Sequence, residues 1–161
     1  MPLEPRDKEL AAIGASIGAN CRPCIEHHLV AGREAGLSEA ELDDAVATAR
    51  VARYEAVELL SARVDELLGR GGPPPEPAAA AQTSKARELV ALGVSVAANS
   101  HPLLHLHVGA ALDVGLEVHQ IRSALKMAGY VQQHAANITA VEVTRALAER
   151  VGSQGEPVAA N

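Results

Sequence analysis

The sequence of residues 9–20 is ELAAIGASIGAN, and that of residues 88–99 is ELVALGVSVAAN. Seven of the twelve aligned pairs are identical. The same shift of 79 positions also superimposes several residues further along the chain: Pro23 on Pro102, His28 on His107, and Gly36 on Gly115. Because Glu, Gly, Ser, Asn, Pro and His all agree in one register, the chain is an internal duplication.

The first two helices of each copy are predicted from apolar spacing and from their end signals. Apolar residues recur at helical intervals from about Asp7 to Ala19, which predicts the first helix. The second is predicted to begin around Pro23, since proline is favoured in a first helical turn. It is predicted to end at Gly36, because glycine readily adopts the left-handed cap conformation.

The third helix of the first copy is predicted to open with a capping box. Ser38 precedes Glu41 by three residues, and an apolar pattern then continues to Leu68. We expect a break in this helix near Tyr54. The second copy repeats the plan, and no alternating strand pattern appears. The predicted fold class is therefore an all-α, internally duplicated helical bundle with about three helices per copy.

The chain is predicted to divide into two repeats joined by a linker. Residues 70–83 are rich in proline and alanine and have no apolar period to bury. The first repeat is assigned to residues 1–69 and the second to residues 84–151. Residues 152–161 are small and polar, which predicts a flexible tail.

The composition excludes several classes of partner. The 161 residues include 32 alanines and two tyrosines but no phenylalanine or tryptophan, and the net charge is −6. Alanine favours close-packed helices, while the chain lacks both stacking rings and a basic patch for nucleic acid. Its apolar runs are too short to span a bilayer, and the charged N-terminus is unlike a signal peptide. We therefore predict a cytoplasmic protein that binds neither nucleic acid nor membrane.

The negative charge is concentrated in the first half of the chain. Residues 1–80 contain 14 acidic and 8 basic residues. Four of the acids begin the third helix: Glu39, Glu41, Asp43 and Asp44. They form either a solvated face or a surface that recognises a partner.

The cysteines stand in the sequence NCRPCIEHH, residues 20–28. A helix beginning near Pro23 places Cys24 in its first turn, where free N–H groups favour a thiolate. Cys21 is placed to form a disulfide with Cys24, and His28 lies one turn further along the same face. This arrangement favours redox chemistry. A zinc half-site that includes His27, or two incidental buried thiols, are the alternatives.

A second group of histidines follows the equivalent position in the other copy. His101 and His105 are four residues apart, and His107 follows closely. This spacing suits metal binding on a helix face, although no carboxylate follows at ligand spacing. A structural hydrogen bond of His107 is the other interpretation.

The four-residue pattern Glu9, Cys21, Cys24 and His28 resembles the active-site signature of AhpD-like proteins. These are all-α alkylhydroperoxidases of the carboxymuconolactone decarboxylase-like superfamily. The resemblance implies that Cys24 attacks a hydroperoxide and that Cys21 resolves the resulting sulfenic acid to a disulfide. It also implies that Glu9 and His28 form a proton relay.

The same resemblance implies the partners. They are a hydroperoxide substrate, a dithiol reductant of lipoyl or thioredoxin-like type, and further copies of the chain in a homo-oligomer, a trimer or hexamer. No cofactor or metal is predicted for the site. The second copy keeps Glu88 and His107 but has Ser100 and Leu103 in place of the cysteines, so one redox site per chain is expected.

Two other functions remain as alternatives. A non-enzymatic redox sensor or docking scaffold would oxidise once and change its affinity for a partner. The lactone decarboxylases of the superfamily are a further possibility, but their chemistry does not explain the paired cysteines.

Overall fold

The computed structural model describes residues 3–77 and 82–152, which form six α-helices and no strand. The first copy contains α1 (Pro5–Gly18), α2 (Arg22–Glu34) and α3 (Glu39–Leu67). The second contains α4 (Lys85–Ala97), α5 (His101–Asp113) and α6 (Val118–Gly152). The predicted all-α fold with three helices per copy is confirmed. Residues 78–81 of the predicted linker and 153–161 of the predicted tail lie outside the described residues.

The centre of the fold is the crossing of α1 and α4, the two copies of the duplicated motif. A Cβ atom added to Gly14 would lie 2.1 Å from the carbonyl oxygen of Val90. One added to Gly93 would lie 2.1 Å from the carbonyl oxygen of Ala11. Since each contact maps onto the other under the repeat shift, the two helices meet about a pseudo-twofold axis. Glycine is required at both positions because any side chain would strike backbone.

The connections between helices also repeat. Asn20 and Asn99, which follow the first helix of each copy, both have φ of 53°. Asparagine tolerates this left-handed conformation, which turns the chain sharply into the next helix. Gly36 ends the α2 region with φ of 90°, and Gly115 has φ of 82° at the matching point. The predicted glycine cap at Gly36 is confirmed.

The third helix begins as predicted but has no break. The Ser38 hydroxyl accepts the N–H of Glu41 at 3.3 Å, and the Glu41 carboxylate accepts the N–H of Ser38 at 2.9 Å. The expected break near Tyr54 is wrong, because α3 continues to Leu67. Tyr54 is exposed, while Ala52 and Ala56 keep one uninterrupted face buried, and no glycine or proline interrupts the helix.

The acidic residues at the start of α3 are largely paired within the chain. Three of the four bind arginines of other segments: Glu39 binds Arg33, Glu41 binds Arg6, and Asp44 binds Arg87. The Ser38 N–H and hydroxyl, together with Arg6, lower the pKa of Glu41 to about 2. These carboxylates are therefore anchored to the bundle rather than presented as free charges.

The outer faces of α3 and α6 carry apolar side chains that this chain leaves exposed. Tyr54 and Leu60 on α3 are 67% and 66% exposed, and Val141 and Leu147 on α6 are 66% and 61% exposed. Such a run of exposed apolar residues is typical of a surface that another protein covers. Within residues 3–77 and 82–152, no helix has the length and apolar character needed to cross a membrane.

Candidate functional site

The two cysteines lie at the N-terminus of α2 and are joined by a disulfide bond. Cys21 is the N-cap residue, and its backbone is extended, with φ of −98°. The preceding left-handed Asn20 reverses the chain out of α1, and so places Cys21 at the beginning of the next helix. Both cysteines are buried, with 8% of Cys21 and 4% of Cys24 exposed.

The hydrogen bond at this helix end is made by the sulfur of Cys21. Its Sγ accepts the backbone N–H of Cys24 at 3.3 Å. The sequence predicted that Cys24 would benefit from the free N–H groups, because the helix was expected to start near Pro23. Since α2 starts at Arg22, the cap position falls on Cys21, and a thiolate on either sulfur is at the positive end of the helix.

Glu9 reaches the site from α1 through a contact with His28. The Nδ1 atom of His28 lies 2.8 Å from Oε2 of Glu9, and the two side chains are 12% and 17% exposed. No spacing along one helix could produce this contact, because it joins α1 to α2. The neighbouring His27 is exposed and meets the His28 ring edge-on, with ring centroids 4.9 Å apart.

A cavity of about 200 Å³ opens beside the disulfide. Cys24, His27, His28 and Pro23 line one side, and α6 of the second copy supplies Tyr130, Val131 and His134. The rings of Tyr130 and His134 are stacked, with centroids 6.2 Å apart and planes 6° from parallel. Both copies therefore build the site, although only the first carries the cysteines. No signal in the sequence points to Tyr130 or His134, because the repeat does not preserve either residue.

The buried side of the disulfide packs against small side chains. The cysteines share a cluster with five alanines and one valine from α1, α4 and α6: Ala12, Ala15, Ala97, Ala128, Ala135 and Val131. Alanine lets the helices approach closely and fixes the disulfide between them. Because Cys24 lines the cavity, the buried disulfide is approached from that side.

The second copy preserves the hydrogen-bonded Glu–His pair without the thiols. Nδ1 of His107 lies 2.9 Å from Oε2 of Glu88, and the two side chains are 14% and 4% exposed. Leu103, which replaces Cys24, is fully buried and packs against Ala56 and Leu59 of α3. The Glu88–His107 pair of the second copy therefore has no cysteine beside it.

The arrangement of possible ligands bears on the alternatives based on metal ions. Within the described ranges, no three or more His, Cys, Asp or Glu side chains form a group that could hold a metal ion. His101 and His105 are exposed. The disulfide also engages both sulfurs that a zinc half-site would need.

Fold and site together define an internally duplicated all-α protein with a single disulfide-forming cysteine pair. The chain belongs to the carboxymuconolactone decarboxylase family, because the model of that family matches residues 2–66 and again residues 80–146. The two matches coincide with the two copies, and this family is the AhpD-like superfamily that the four-residue signature resembles. No curated protein and no solved structure gives a significant match.

Proposed function

We propose that this protein is a thiol-dependent peroxidase or disulfide reductase that works through Cys21 and Cys24. The observation that carries the proposal is the disulfide at the N-terminus of α2, set beside the Glu9–His28 pair and open to a cavity through Cys24. Buried structural cysteines need neither a paired acid and base nor a cavity. The three features together support a site where a thiolate forms and reacts.

In the peroxidase reaction, the Cys24 thiolate attacks the peroxide O–O bond. A sulfenic acid forms on Cys24, and the alkoxide leaving group takes a proton and departs as an alcohol. The Cys21 thiol then attacks the sulfenic sulfur, which forms the disulfide and releases water. A dithiol donor reduces this disulfide by exchange, is itself oxidised to a disulfide, and restores both thiols.

The Glu9–His28 pair supplies the proton movements of this cycle. His28 lines the cavity with Cys24, and Glu9 holds its Nδ1 atom. With Nδ1 fixed by the carboxylate, the other ring nitrogen is the one that can accept a thiol proton and later return it to the leaving group. Glu9 acts through His28 and is a positioning residue in this scheme.

The partners in the proposal are a dithiol of lipoyl or thioredoxin-like type and other copies of the chain. A small or extended dithiol suits the site, because the buried sulfurs are approached through a cavity of about 200 Å³. The exposed apolar residues of α3 and α6 support a homo-oligomer, since they are a surface that a second copy can cover. We place the protein in the cytoplasm, where thiols are kept reduced.

Thiol titration tests the proposal directly. The fully reduced protein, treated with one equivalent of cumene hydroperoxide at neutral pH, should lose both thiols and gain one intramolecular disulfide. A Cys24→Ser variant should consume no peroxide. Retention of both thiols by the parent protein would refute the proposal.

The other two functions receive less support from the structure. Most acidic residues of the α3 N-terminus are bound to arginines of the same chain, which leaves less free charge for docking a partner. A carboxylated lactone would need a cation, whereas no lysine or arginine is among the described residues that line the disulfide cavity.

A further inference from the structure

One wall of the disulfide cavity carries a tyrosine, in a chain that has very few aromatic residues. The sequence contains two tyrosines and neither phenylalanine nor tryptophan. One of the two, Tyr130, lines the cavity from α6, whereas Cys24 and His28 line it from α2. The redox chemistry proposed above uses residues of α1 and α2, so it leaves Tyr130 at the cavity without a role.

The ring of Tyr130 has a neighbour that limits its rotation, although the residue is 67% exposed. The ring of His134, one helical turn further along α6, is stacked with it, with centroids 6.2 Å apart and planes 6° from parallel. Val131 follows Tyr130 in the chain, is 1% exposed and belongs to the buried cluster that contains both cysteines. The two rings therefore stand together on a part of α6 that is packed against the disulfide.

The volume of the cavity, about 200 Å³, sets the size of the group that it can hold. An apolar cavity of about 150 Å³ is enough for one benzene ring. The space beside Cys24 is thus sufficient for a single ring with a short side arm, whereas a long acyl chain would extend beyond it.

The chemistry of the wall favours an uncharged aromatic group. No lysine, arginine, aspartate or glutamate is among the described residues that line the cavity. Neither a carboxylate nor an ammonium group would therefore find a permanent opposite charge there. Aromatic rings pack favourably on one another in offset or edge-on arrangements, a contact that Tyr130 offers to a second ring and not to an aliphatic group.

We propose that the substrate is a small arylalkyl hydroperoxide, whose ring packs against Tyr130 while its peroxide group lies at Cys24. His134 is a positioning residue, because it acts through the ring of Tyr130. The inference rests on the proposed peroxidase function. The distal peroxide oxygen passes to the Cys24 sulfur, the O–O bond breaks, and the alkoxide takes up a proton and leaves as an arylalkyl alcohol. The second copy thus selects the substrate for thiols that belong to the first.

Two hydroperoxides that differ only in the ring test the role of Tyr130. Cumene and tert-butyl hydroperoxide carry the peroxide on a dimethyl-substituted carbon, which bears a phenyl group in the first and a methyl group in the second. The rate constant for thiol loss is measured with each. Tyr130→Ala should lower the ratio of the cumene to the tert-butyl rate constant by about 3–10-fold, because the ring contact is lost. Tyr130→Phe keeps the ring and should retain the ratio, and His134→Ala should lower it by a smaller factor.

The other tyrosine of the chain provides a matched control. Tyr54 on α3 is also 67% exposed, and it is not among the residues that line the disulfide cavity. Tyr54→Ala removes the same side chain from a comparable surface and should leave the ratio of rate constants unchanged. Circular dichroism verifies that every variant is folded.

Tyrosine NMR tests binding without any turnover. The disulfide form of the protein, labelled on its tyrosine rings, gives signals from two residues, and that of Tyr130 is assigned by its loss in Tyr130→Phe. The probes are the two product alcohols, 2-phenylpropan-2-ol and tert-butanol. The phenyl alcohol should shift the Tyr130 signal in a saturable way and bind at least about threefold more tightly than tert-butanol. The Tyr54 signal should stay in place.

The failure of this inference can be told apart from failure of the peroxidase function. Retention of both thiols with both hydroperoxides would refute the peroxidase function, and the substrate assignment with it. Oxidation by both hydroperoxides with a ratio that Tyr130→Ala leaves unchanged would refute only the recognition by Tyr130. An equal fall of the ratio in Tyr54→Ala, or a Tyr130 signal that the phenyl alcohol does not shift, would overturn it as well.

Discussion

Replacing Glu9 by glutamine keeps the size of the side chain and removes the negative charge from His28. The bond between them is 2.8 Å long, and the two side chains are 17% and 12% exposed. A hydrogen bond to a charged group contributes about 1.5–3 kcal/mol, and partial exposure favours the lower half, about 1.5–2 kcal/mol. At about 1.4 kcal/mol per factor of ten, thiol oxidation should slow by about 10–30-fold.

The assay must follow the thiols themselves, because the chain has no tryptophan to report on them. Reduced protein is mixed with one equivalent of cumene hydroperoxide and quenched at intervals with iodoacetamide. Mass spectrometry then counts the alkylated cysteines at each time. The rate constant for loss of both thiols is compared between the parent protein and Glu9→Gln.

The duplicated fold provides a control for this experiment. Glu88→Gln breaks the equivalent pair in the second copy, at 2.9 Å and with Glu88 more deeply buried, but no thiol stands beside it. It should destabilise the fold at least as much as Glu9→Gln while leaving the oxidation rate unchanged. Equal slowing by the two variants would mean that the effect is structural. An unchanged rate in Glu9→Gln would refute the relay.

Three further predictions concern the cysteines, the helix crossing and the acidic cap. Cys24→Ser should abolish peroxide consumption. Cys21→Ser should reduce one equivalent of peroxide and retain a sulfenic acid that dimedone traps. A fully active Cys24→Ser variant would contradict the assignment of Cys24 as the attacking residue. Gly14→Ala should destabilise the fold in urea by about 3 kcal/mol or more, since its Cβ would strike backbone at 2.1 Å. Gly109→Ala is the control, because it has open space and should stabilise α5 by about 0.5–1 kcal/mol. Carboxyl NMR should give Glu41 a pKa of about 2, lowered from 4.5 by Ser38 and Arg6. The stabilisation from this cap is then fully present above about pH 4.5 and is lost as the pH falls through 2. A titration midpoint near 4.5 would show that the cap does not form.

The repeat made most of the fold predictable from sequence. Two copies of one motif in a single register gave the six helices and the capping box at Ser38. They also drew attention to Glu9, because Glu88 occupies the same position in a copy that has no cysteines. Local periodicity and end signals carry this information, since each depends on residues close together in the chain.

What the sequence did not predict depends on packing between the copies. Tyr130 and His134 line the disulfide cavity from α6, and nothing in their own helix pattern relates them to Cys24. The break expected near Tyr54 failed for the same reason. Burial of Ala52 and Ala56 against the other copy keeps α3 continuous past the exposed Tyr54.

Sustained turnover with a dithiol donor is the measurement that most directly tests the claim of a catalytic thiol site. Protein is supplied with excess hydroperoxide and dihydrolipoamide, and the consumption of both is followed over time. We expect each chain to consume many equivalents of peroxide, with one dithiol oxidised for each peroxide reduced. Consumption that stops after one equivalent per chain, with the disulfide left unreduced, would contradict it and favour a redox sensor.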